Sequence, residues 1–250
     1  MGFCLANPLD FATISAMKHY LHEKAYRCAL VSDAVYEGHC LANLGLPIAS
    51  DAQIKHLFGQ NYQKMFDNCL LTAEMYHDTH DDSFILAFRG SADVFDWFAN
   101  VGQYLGADKT HYKEAKEIAQ SYTGRETLYF TGHSLGGGLA TVATIASGQR
   151  AYVFNPPRIN EDTIDGLDVS DSYNRIRRYV VKGEYLDFLN TFNKPLRIWT
   201  HEIGEKIELQ VRCIKRPYLL LGGRVAPIIP EAIRLHKMKA VLDGLRRLFA

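Results

Sequence analysis

The sequence predicts an α/β fold in which a mostly parallel central sheet carries helices on both faces. Three observations support this class. Short apolar runs typical of buried strands alternate with longer segments in which apolar residues recur every three or four positions. Residues 84–88 are apolar at every position, as expected for a strand covered on both faces. At residues 128–147, a strand-like run turns through glycines directly into a small-residue segment typical of a buried helix.

The composition fits one globular domain and argues against several classes of function. Lysine and arginine number 28, as do aspartate and glutamate, so the net charge is zero and nucleic acid is not an expected partner. The five cysteines contain no Cys-x-x-Cys pair, and we expect no disulfide framework, no metal and no cofactor. Because no linker or repeat interrupts the chain, we expect a single domain over residues 1–250.

The N-terminal sequence predicts where the chain is made. Residues 1–17 have no basic segment ahead of an apolar one and are interrupted by Pro8 and Asp10, so they do not resemble a signal peptide. No apolar run reaches the length of a membrane span. We therefore expect synthesis in the cytoplasm, and export by a route without a cleaved signal stays open.

Helical periodicity and strand-like runs predict the order of the elements. Apolar residues at helical spacing predict four helices besides the one after the glycine turn: residues 17–37, 51–68, 111–122 and 231–249. Apolar and β-prone runs predict strands at residues 70–76, 83–88, 128–130, 150–155 and 175–181. The first two should form an antiparallel pair around the polar turn 77–82, which we expect to be solvated rather than metal-binding. Residues 196–200 and 206–211 predict a second hairpin, and residues 216–230, rich in proline and glycine, predict a loop.

Residues 132–136 carry the strongest functional signal. They read Gly-His-Ser-Leu-Gly and lie between the predicted strand and the small-residue helix. A strand, G-x-S-x-G and a helix in this order are typical of a nucleophile elbow, a sharp turn that holds a serine hydroxyl above the sheet. A side chain at position 132 or 136 would collide with the neighbouring strand and helix, which explains both glycines. Ser134 is therefore the predicted nucleophile.

A serine nucleophile requires a base and a carboxylate. The base is normally a histidine that a carboxylate orients, and on this type of fold the chain order is serine, acid, histidine. The acid is therefore expected after Ser134, near a strand end. Of the ten histidines, His201 and His236 are late enough in the chain to serve as the base.

Three motifs together resemble the class 3 lipase family. They are Phe-Arg-Gly-Ser at 88–91 with Asp-Trp-x-x-Asn at 96–100, Gly-His-Ser-Leu-Gly-Gly at 132–137, and Asn-Pro-Pro-Arg at 155–158. Members of this family are α/β-hydrolases that cleave carboxylic esters of lipids. The resemblance extends from about residue 25 to 236 and is closer to the bacterial and intracellular branch than to the secreted fungal enzymes.

The resemblance implies an oxyanion hole and completes the site. The donors would be the backbone N–H of Leu135 and the N–H of Ser91, with the Ser91 hydroxyl as a further donor. The family position of the acid is occupied by Glu184, where most members have aspartate, and Asp187 is the alternative. The family places the base late in the chain, which favours His236.

The implied function is a serine hydrolase that cleaves acylglycerols or phospholipids through an acyl-enzyme on Ser134. The apolar segments 95–98 and 218–229 would border the site, suit acyl chains and offer a surface for membrane contact. A toxin acting on bacterial membranes would be a special case of this function. Two alternatives stay open: an esterase or acyltransferase acting on other esters, and an inactive lipase-like binding protein. The sequence makes no prediction of oligomeric state.

Overall fold

The computed structural model describes residues 11–60, 62–67, 69–90, 109–187, 200–211, 218–221, 224–227 and 229–249. Its strands, in chain order, are β1 (Ala73–Asp78), β2 (Ser83–Phe88), β3 (Leu128–His133), β4 (Arg150–Phe154), β5 (Ile159–Asn160), β6 (Ile176–Val181), β7 (Thr200–His201), β8 (Glu205–Leu209), β9 (Tyr218–Leu221) and β10 (Arg224–Pro227). Six of them form the central sheet in the order β1-β2-β3-β4-β6-β8. Strand β1 is antiparallel to β2, and the other four pairs are parallel. The predicted antiparallel pair and the mostly parallel sheet are therefore confirmed.

Helices cover both faces of this sheet. They are α1 (Phe11–Glu37), α2 (Asp51–Phe58), α3 (Tyr62–Asp67), α4 (Lys109–Gln120), α5 (Leu135–Ser147), α6 (Glu161–Ile164), α7 (Ser172–Arg175), α8 (Ile229–His236) and α9 (Met238–Leu248). Helices α4 and α5 share one apolar cluster with Phe130 of β3. Helices α1 and α9 share a second cluster with Tyr129, the neighbouring residue. Because adjacent strand residues point to opposite faces, the two clusters lie on opposite sides of the sheet.

Two predicted helices are each divided in two. The segment 51–68 forms α2 and α3, because Gly59 takes a left-handed φ of 82° and its N–H closes α2 on the Lys55 carbonyl. The predicted start of α2 is confirmed, since the Ser50 side chain accepts a hydrogen bond from the Gln53 N–H. The C-terminal segment forms α8 and α9, with Lys237 in extended backbone between them.

Two predictions for the C-terminal part of the chain are wrong. Strand β8 joins the central sheet parallel to β6, and β7, which holds the described end of the preceding segment, pairs with β5 instead. Residues 196–199 lie outside the described part of the chain. The predicted loop at 216–230 contains an antiparallel pair, β9 and β10, on either side of Gly222 and Gly223. Two glycines between apolar runs are a hairpin signal, which the surrounding prolines had outweighed. None of the helices in the described ranges is long and apolar enough to cross a membrane.

The polar turn after β1 is not simply solvated. Asp78 is fully buried, and its carboxylate lies 2.6 Å from Lys24 Nζ and 2.9 Å from Arg27 Nε. Both cations come from α1, which is packed against the sheet beside this turn. The expectation of a solvated turn therefore fails at Asp78, because the turn's charge partners lie about fifty positions earlier in the sequence.

Candidate active site

Ser134 occupies a strained turn between β3 and α5. Its backbone dihedrals are φ 57° and ψ −128°, which non-glycine residues rarely adopt and which tertiary contacts must maintain. Those contacts are a hydrogen bond from its N–H to the Phe154 carbonyl, at 3.0 Å, and two from the first turn of α5 to its own carbonyl. The serine is thus fixed at the carboxyl end of the central strands, where sites of α/β sheets lie.

The two glycines of the turn are required by close backbone contacts. A Cβ atom on Gly132 would lie 2.4 Å from the Gly136 carbonyl group, and one on Gly136 would lie 2.1 Å from the Phe88 carbonyl oxygen. These distances are far inside van der Waals contact, so the predicted reason for both glycines is confirmed. The same contact brings the end of β2 against the turn, since a Cβ atom on Gly90 would lie 2.7 Å from the His133 carbonyl oxygen.

Glu184 lies in the turn that follows β6 and contacts His236. Its N–H donates to the Val181 carbonyl, and its carboxylate accepts hydrogen bonds from the N–H groups of Leu186 and Asp187. The Oε2 atom of Glu184 lies 2.5 Å from Nδ1 of His236, the last residue of α8. Both side chains are buried, with exposed fractions of 1% and 0%.

The other candidates for these two roles have different surroundings. Asp187 receives hydrogen bonds from Lys206 Nζ, at 2.7 Å, and from the Gly183 N–H, at 3.2 Å, on the rim of the same turn. His201 lies in β7, is exposed, and pairs through its backbone with Ile159. The structure therefore places the carboxylate of Glu184 against the ring of His236. Asp187 and His201 contact other residues.

Burial shifts the pKa values of Glu184 and His236 so that the neutral form of each side chain is favoured. It raises the pKa of Glu184 to about 8, although the N–H groups of Leu186 and Asp187 act to lower it. It lowers the pKa of His236 to about 3. A charge on either group is costly in this dry environment unless the partner compensates it. When Glu184 is ionised and accepts from Nδ1–H, the unprotonated nitrogen of His236 is Nε2, which is the atom that can act as a base.

The predicted oxyanion hole is described only in part. Leu135 is the first residue of α5, so its N–H belongs to the helix N-terminus, where backbone donors lack partners within the helix. Ser91 lies outside the described residues, as does the aromatic segment 95–98. The residue before Ser91, Gly90, lies against the elbow as described above.

A cavity of about 250 Å³ opens beside the elbow. Four leucines and four other residues line it: Leu70, Leu71, Leu135, Leu139, Thr72, Arg89, Gly90 and His111. The leucines offer an apolar surface, and Thr72, Arg89 and His111 add polar groups, a mixture that suits a small organic ligand with an apolar and a polar part. In the described part of the chain, no group of three or more His, Cys, Asp and Glu side chains is arranged to hold a metal ion.

Two buried side chains that the sequence analysis did not assign to the site contact the backbone of His236. They are His133, next to the nucleophile, and Asn155, directly after β4. The Asn-Pro-Pro-Arg motif served only as a mark of family resemblance. An asparagine at the carboxyl end of a buried strand, directly before two prolines, was the available signal for a local role.

The mostly parallel sheet, with a strained serine between a strand and a helix, is that of an α/β-hydrolase fold. The contact between Glu184 and His236, both later in the chain than Ser134, agrees with this fold. Residues 27–215 match the model of the Tle-like phospholipase domain, and the chain belongs to this phospholipase-like family. The predicted resemblance to a lipase-like family is thereby confirmed.

Individual proteins similar to this chain include a bacterial phospholipase and fungal lipases. The extracellular phospholipase A1 of Serratia liquefaciens is 30% identical over 197 residues, covering 75% of this chain and 60% of that protein. A Rhizomucor miehei lipase–propeptide complex is 16% identical, with a TM-score of 0.45 over 80% of this chain and 70% of that one. A Penicillium expansum triacylglycerol lipase is 16% identical, with a TM-score of 0.44 over 77% of this chain and 80% of that one.

Proposed function

We propose that this chain is a serine hydrolase that cleaves carboxylic ester bonds of lipids, acylglycerols or phospholipids, through an acyl-enzyme on Ser134. The observation that carries the proposal is the buried contact between Glu184 and His236, on a fold that holds Ser134 in a strained elbow. The family and the name of the Serratia relative support a phospholipid substrate. Helices α1 and α9, from the two ends of the chain, share one apolar cluster, which supports the proposal of a single domain over residues 1–250.

In the first half of the reaction, the Ser134 hydroxyl attacks the ester carbonyl carbon while Nε2 of His236 takes its proton. Glu184 holds the ring by accepting from Nδ1–H and stabilises the imidazolium that forms. The N–H groups of Leu135 and Ser91 bind the developing oxyanion, and each is worth about 3 kcal/mol of barrier. The carbon–oxygen bond then breaks, and the alcohol leaves with the proton from His236.

In the second half, water replaces the alcohol. His236 takes a proton from water as the oxygen attacks the acyl-enzyme, and returns it to Ser134 as the carboxylic acid leaves. The acyl chain lies in the cavity beside the elbow, where Leu70, Leu71 and Leu139 offer apolar contacts. This placement keeps the acyl carbonyl near Leu135, which belongs both to the cavity wall and to the proposed oxyanion hole.

The central test compares the full chain with a Ser134→Ala variant. We expect the wild type to release fatty acid from phospholipid micelles or triacylglycerol emulsions and to react with a fluorophosphonate probe. Ser134→Ala should lose both activities, whereas Ser147→Ala, at the far end of α5, should keep them. Hydrolysis by Ser134→Ala would refute the proposed nucleophile. A wild type that neither hydrolyses esters nor reacts with the probe would instead support an inactive binding protein.

The β9–β10 hairpin is our candidate for membrane contact. Its sequence is rich in apolar residues, and it directly precedes the helix that carries His236. Leu220→Asp should weaken sedimentation with phospholipid vesicles and hydrolysis of vesicle lipid, while hydrolysis of a short soluble ester is kept. The control is Leu248→Asp, at an exposed position of α9. Equal vesicle binding by all three proteins would count against this surface.

We propose that the chain is made in the cytoplasm and acts outside it. This follows the name of the Serratia relative, an extracellular enzyme. Fractionation of the source cells would test it, with a cytoplasmic marker enzyme as control. Recovery of the chain only with that marker would contradict the proposal.

A further inference from the structure

The carbonyl oxygen of His236 accepts hydrogen bonds from two buried side chains. Nε2 of His133 lies 2.6 Å from it, and Nδ2 of Asn155 lies 2.9 Å from it. The exposed fractions of the three residues are 4%, 0% and 0%. A carbonyl can only accept, so both nitrogens must carry the hydrogen.

This carbonyl would otherwise be poorly held. His236 is the last residue of α8, and the last carbonyls of a helix lack partners within the helix. Asn155 Nδ2 also lies 3.5 Å from the carbonyl of Leu235, one residue earlier. The two side chains therefore fix the helix end on which the proposed base stands, and helix ends are where fraying occurs.

Asn155 connects this helix end to the acid-bearing segment. Its Oδ1 accepts from the Val181 N–H, at 2.9 Å, and its own N–H donates to the Tyr179 carbonyl, also at 2.9 Å. Val181 ends β6, and its carbonyl in turn accepts from the N–H of Glu184. Asn155 has a φ of 44°, in the left-handed region that asparagine tolerates better than most residues. The Asn155 side chain therefore links β6, the strand before Glu184, to the backbone of His236.

His133 connects the same helix end to the nucleophile, which is the next residue in the chain. Burial lowers the pKa of His133 to about 3, with a smaller contribution from the neighbouring His236 ring, so the His133 ring is neutral. Since Nε2 carries the hydrogen, Nδ1 is an acceptor, and the Tyr36 hydroxyl lies 3.5 Å from it. The same hydroxyl lies 3.2 Å from the His133 carbonyl. Tyr36 of helix α1 therefore contacts both the ring and the backbone of His133.

We propose that Asn155 and His133 are positioning residues that set the place of His236 relative to both Ser134 and Glu184. Both anchors adjoin the nucleophile: His133 precedes Ser134, and Asn155 follows Phe154, whose carbonyl accepts from the Ser134 N–H. The spacing of nucleophile, acid and base is then fixed through the backbone. This inference rests on the proposed function for its catalytic meaning.

The principal test is Asn155→Gly. Glycine suits the left-handed backbone, so the variant loses the side-chain hydrogen bonds without adding strain. Misplacement of a catalytic group is costly, so we expect kcat for a short soluble ester to fall about 10- to 100-fold with little change in KM. The rate of fluorophosphonate labelling should fall by the same factor. Asp82→Gly is the matched control, since Asp82 has a φ of 55° in the turn between β1 and β2.

A second readout does not need turnover. The proton between His236 Nδ1 and Glu184 can be followed by NMR through its exchange with solvent. We expect exchange to become at least about tenfold faster in Asn155→Gly, because the helix end opens more often. If the wild type neither hydrolyses esters nor labels, the proposed function fails, and this exchange rate alone decides the positioning inference.

His133→Phe provides a second variant that keeps a planar ring and removes the donor. It should lower kcat in the same way. Because both side chains donate to one carbonyl, the double variant should lose less than the product of the two single losses. Folded single variants with wild-type kcat and wild-type exchange would overturn the proposal. Multiplicative losses in the double variant would overturn the shared action on His236.

Discussion

The Nδ1 atom of His236 and the Oε2 atom of Glu184 lie 2.5 Å apart, and neither side chain is accessible to solvent. The two residues are separated by 52 positions in the chain. Glu184 also accepts two backbone N–H groups from its own turn, which fixes the direction of its carboxylate. A glutamate at this position is therefore oriented as a triad acid would need to be, although most of the family is expected to carry an aspartate there.

The first prediction concerns the identity of the acid. Glu184→Gln keeps the shape of the side chain but removes the charge that stabilises the imidazolium, and it can hold the ring in the wrong tautomer. We expect kcat for a soluble ester to fall by about 10⁴-fold, as for equivalent changes in other serine hydrolases. Steady-state kinetics with a chromogenic ester would measure the loss.

Asp187→Asn is the matched control for this prediction. Asp187 contacts Lys206 and the Gly183 N–H, and its change to asparagine should leave kcat within about threefold of the wild type, as for a surface pair. The reverse pattern, with Asp187→Asn inactive and Glu184→Gln active, would transfer the role of acid to Asp187.

The second prediction is a pH dependence. The proposed mechanism needs Glu184 ionised and His236 neutral before substrate binds. Burial raises the pKa of Glu184 to about 8 and keeps that of His236 near 3, so the active form accumulates as pH rises through about 8. We expect kcat/KM for a soluble ester to increase up to this pH and then to level off. A profile already flat between pH 6 and 9 would mean that the carboxyl ionises earlier.

The raised pKa of Glu184 also affects the stability of the folded state. Stability should fall as pH rises, whereas activity should increase. Between the ordinary pKa of 4.5 and the folded pKa of about 8, the folded state binds the proton of Glu184 more tightly than the unfolded state does. The contribution of this group to stability is therefore present below pH 4.5 and is lost as pH rises to about 8. Urea unfolding at several pH values should show this loss in the wild type and a smaller one in Glu184→Gln.

The sequence was sufficient to predict the features that depend on local chain geometry. The strand, elbow and helix around Ser134 follow from neighbouring residues, and the collision that excludes side chains at Gly132 and Gly136 is found where the pattern predicts it. The choice between Glu184 and Asp187 could not be made in the same way. They are three residues apart in one turn, and only the position of His236, brought in by α8, distinguishes them.

Features that depend on distant partners were missed or misjudged. Asp78 looked like part of a solvated turn, because Lys24 and Arg27 lie on a helix far earlier in the chain. Strand β8 looked like half of a hairpin, because its apolar pattern does not say whether its partner is the preceding segment or β6. The role inferred for Asn155 likewise depends on a helix that begins more than seventy residues later.

The third prediction tests the cavity beside the elbow as the acyl site. Leu70 lines the cavity and is 73% exposed, so a larger side chain can be placed at its mouth without disturbing the core. Leu70→Trp should lower kcat/KM for long acyl esters by about tenfold or more relative to short ones, since each excluded methylene costs binding energy. Leu44→Trp, an exposed position away from the cavity, is the control. An unchanged preference for acyl length in Leu70→Trp would place the acyl chain elsewhere.

The fourth prediction concerns the buried charges that join α1 to the turn after β1. Lys24 is 2% exposed and contacts the carboxylates of Asp78 and Asp81, of which Asp78 is fully buried. Lys24→Met would leave Asp78 with Arg27 as its remaining described cation and would cost about 3 kcal/mol, the lower end for breaking a buried pair. Urea unfolding would measure this change.

The control for Lys24→Met is an exposed ion pair on α4. Lys113 lies 3.7 Å from Glu117 and is 73% exposed, so Lys113→Ala should cost no more than about 1 kcal/mol. Lys24 contacts Asp78 and Asp81 next to the start of β2, whereas Ser134 follows the end of the parallel strand β3, at the opposite edge of the sheet. Lys24→Met should therefore keep its kcat wherever it stays folded. If Lys24→Met unfolds at the same urea concentration as the wild type, the cluster is not a source of stability. If it stays folded but loses kcat, the packing of α1, which also carries Tyr36, affects the site directly.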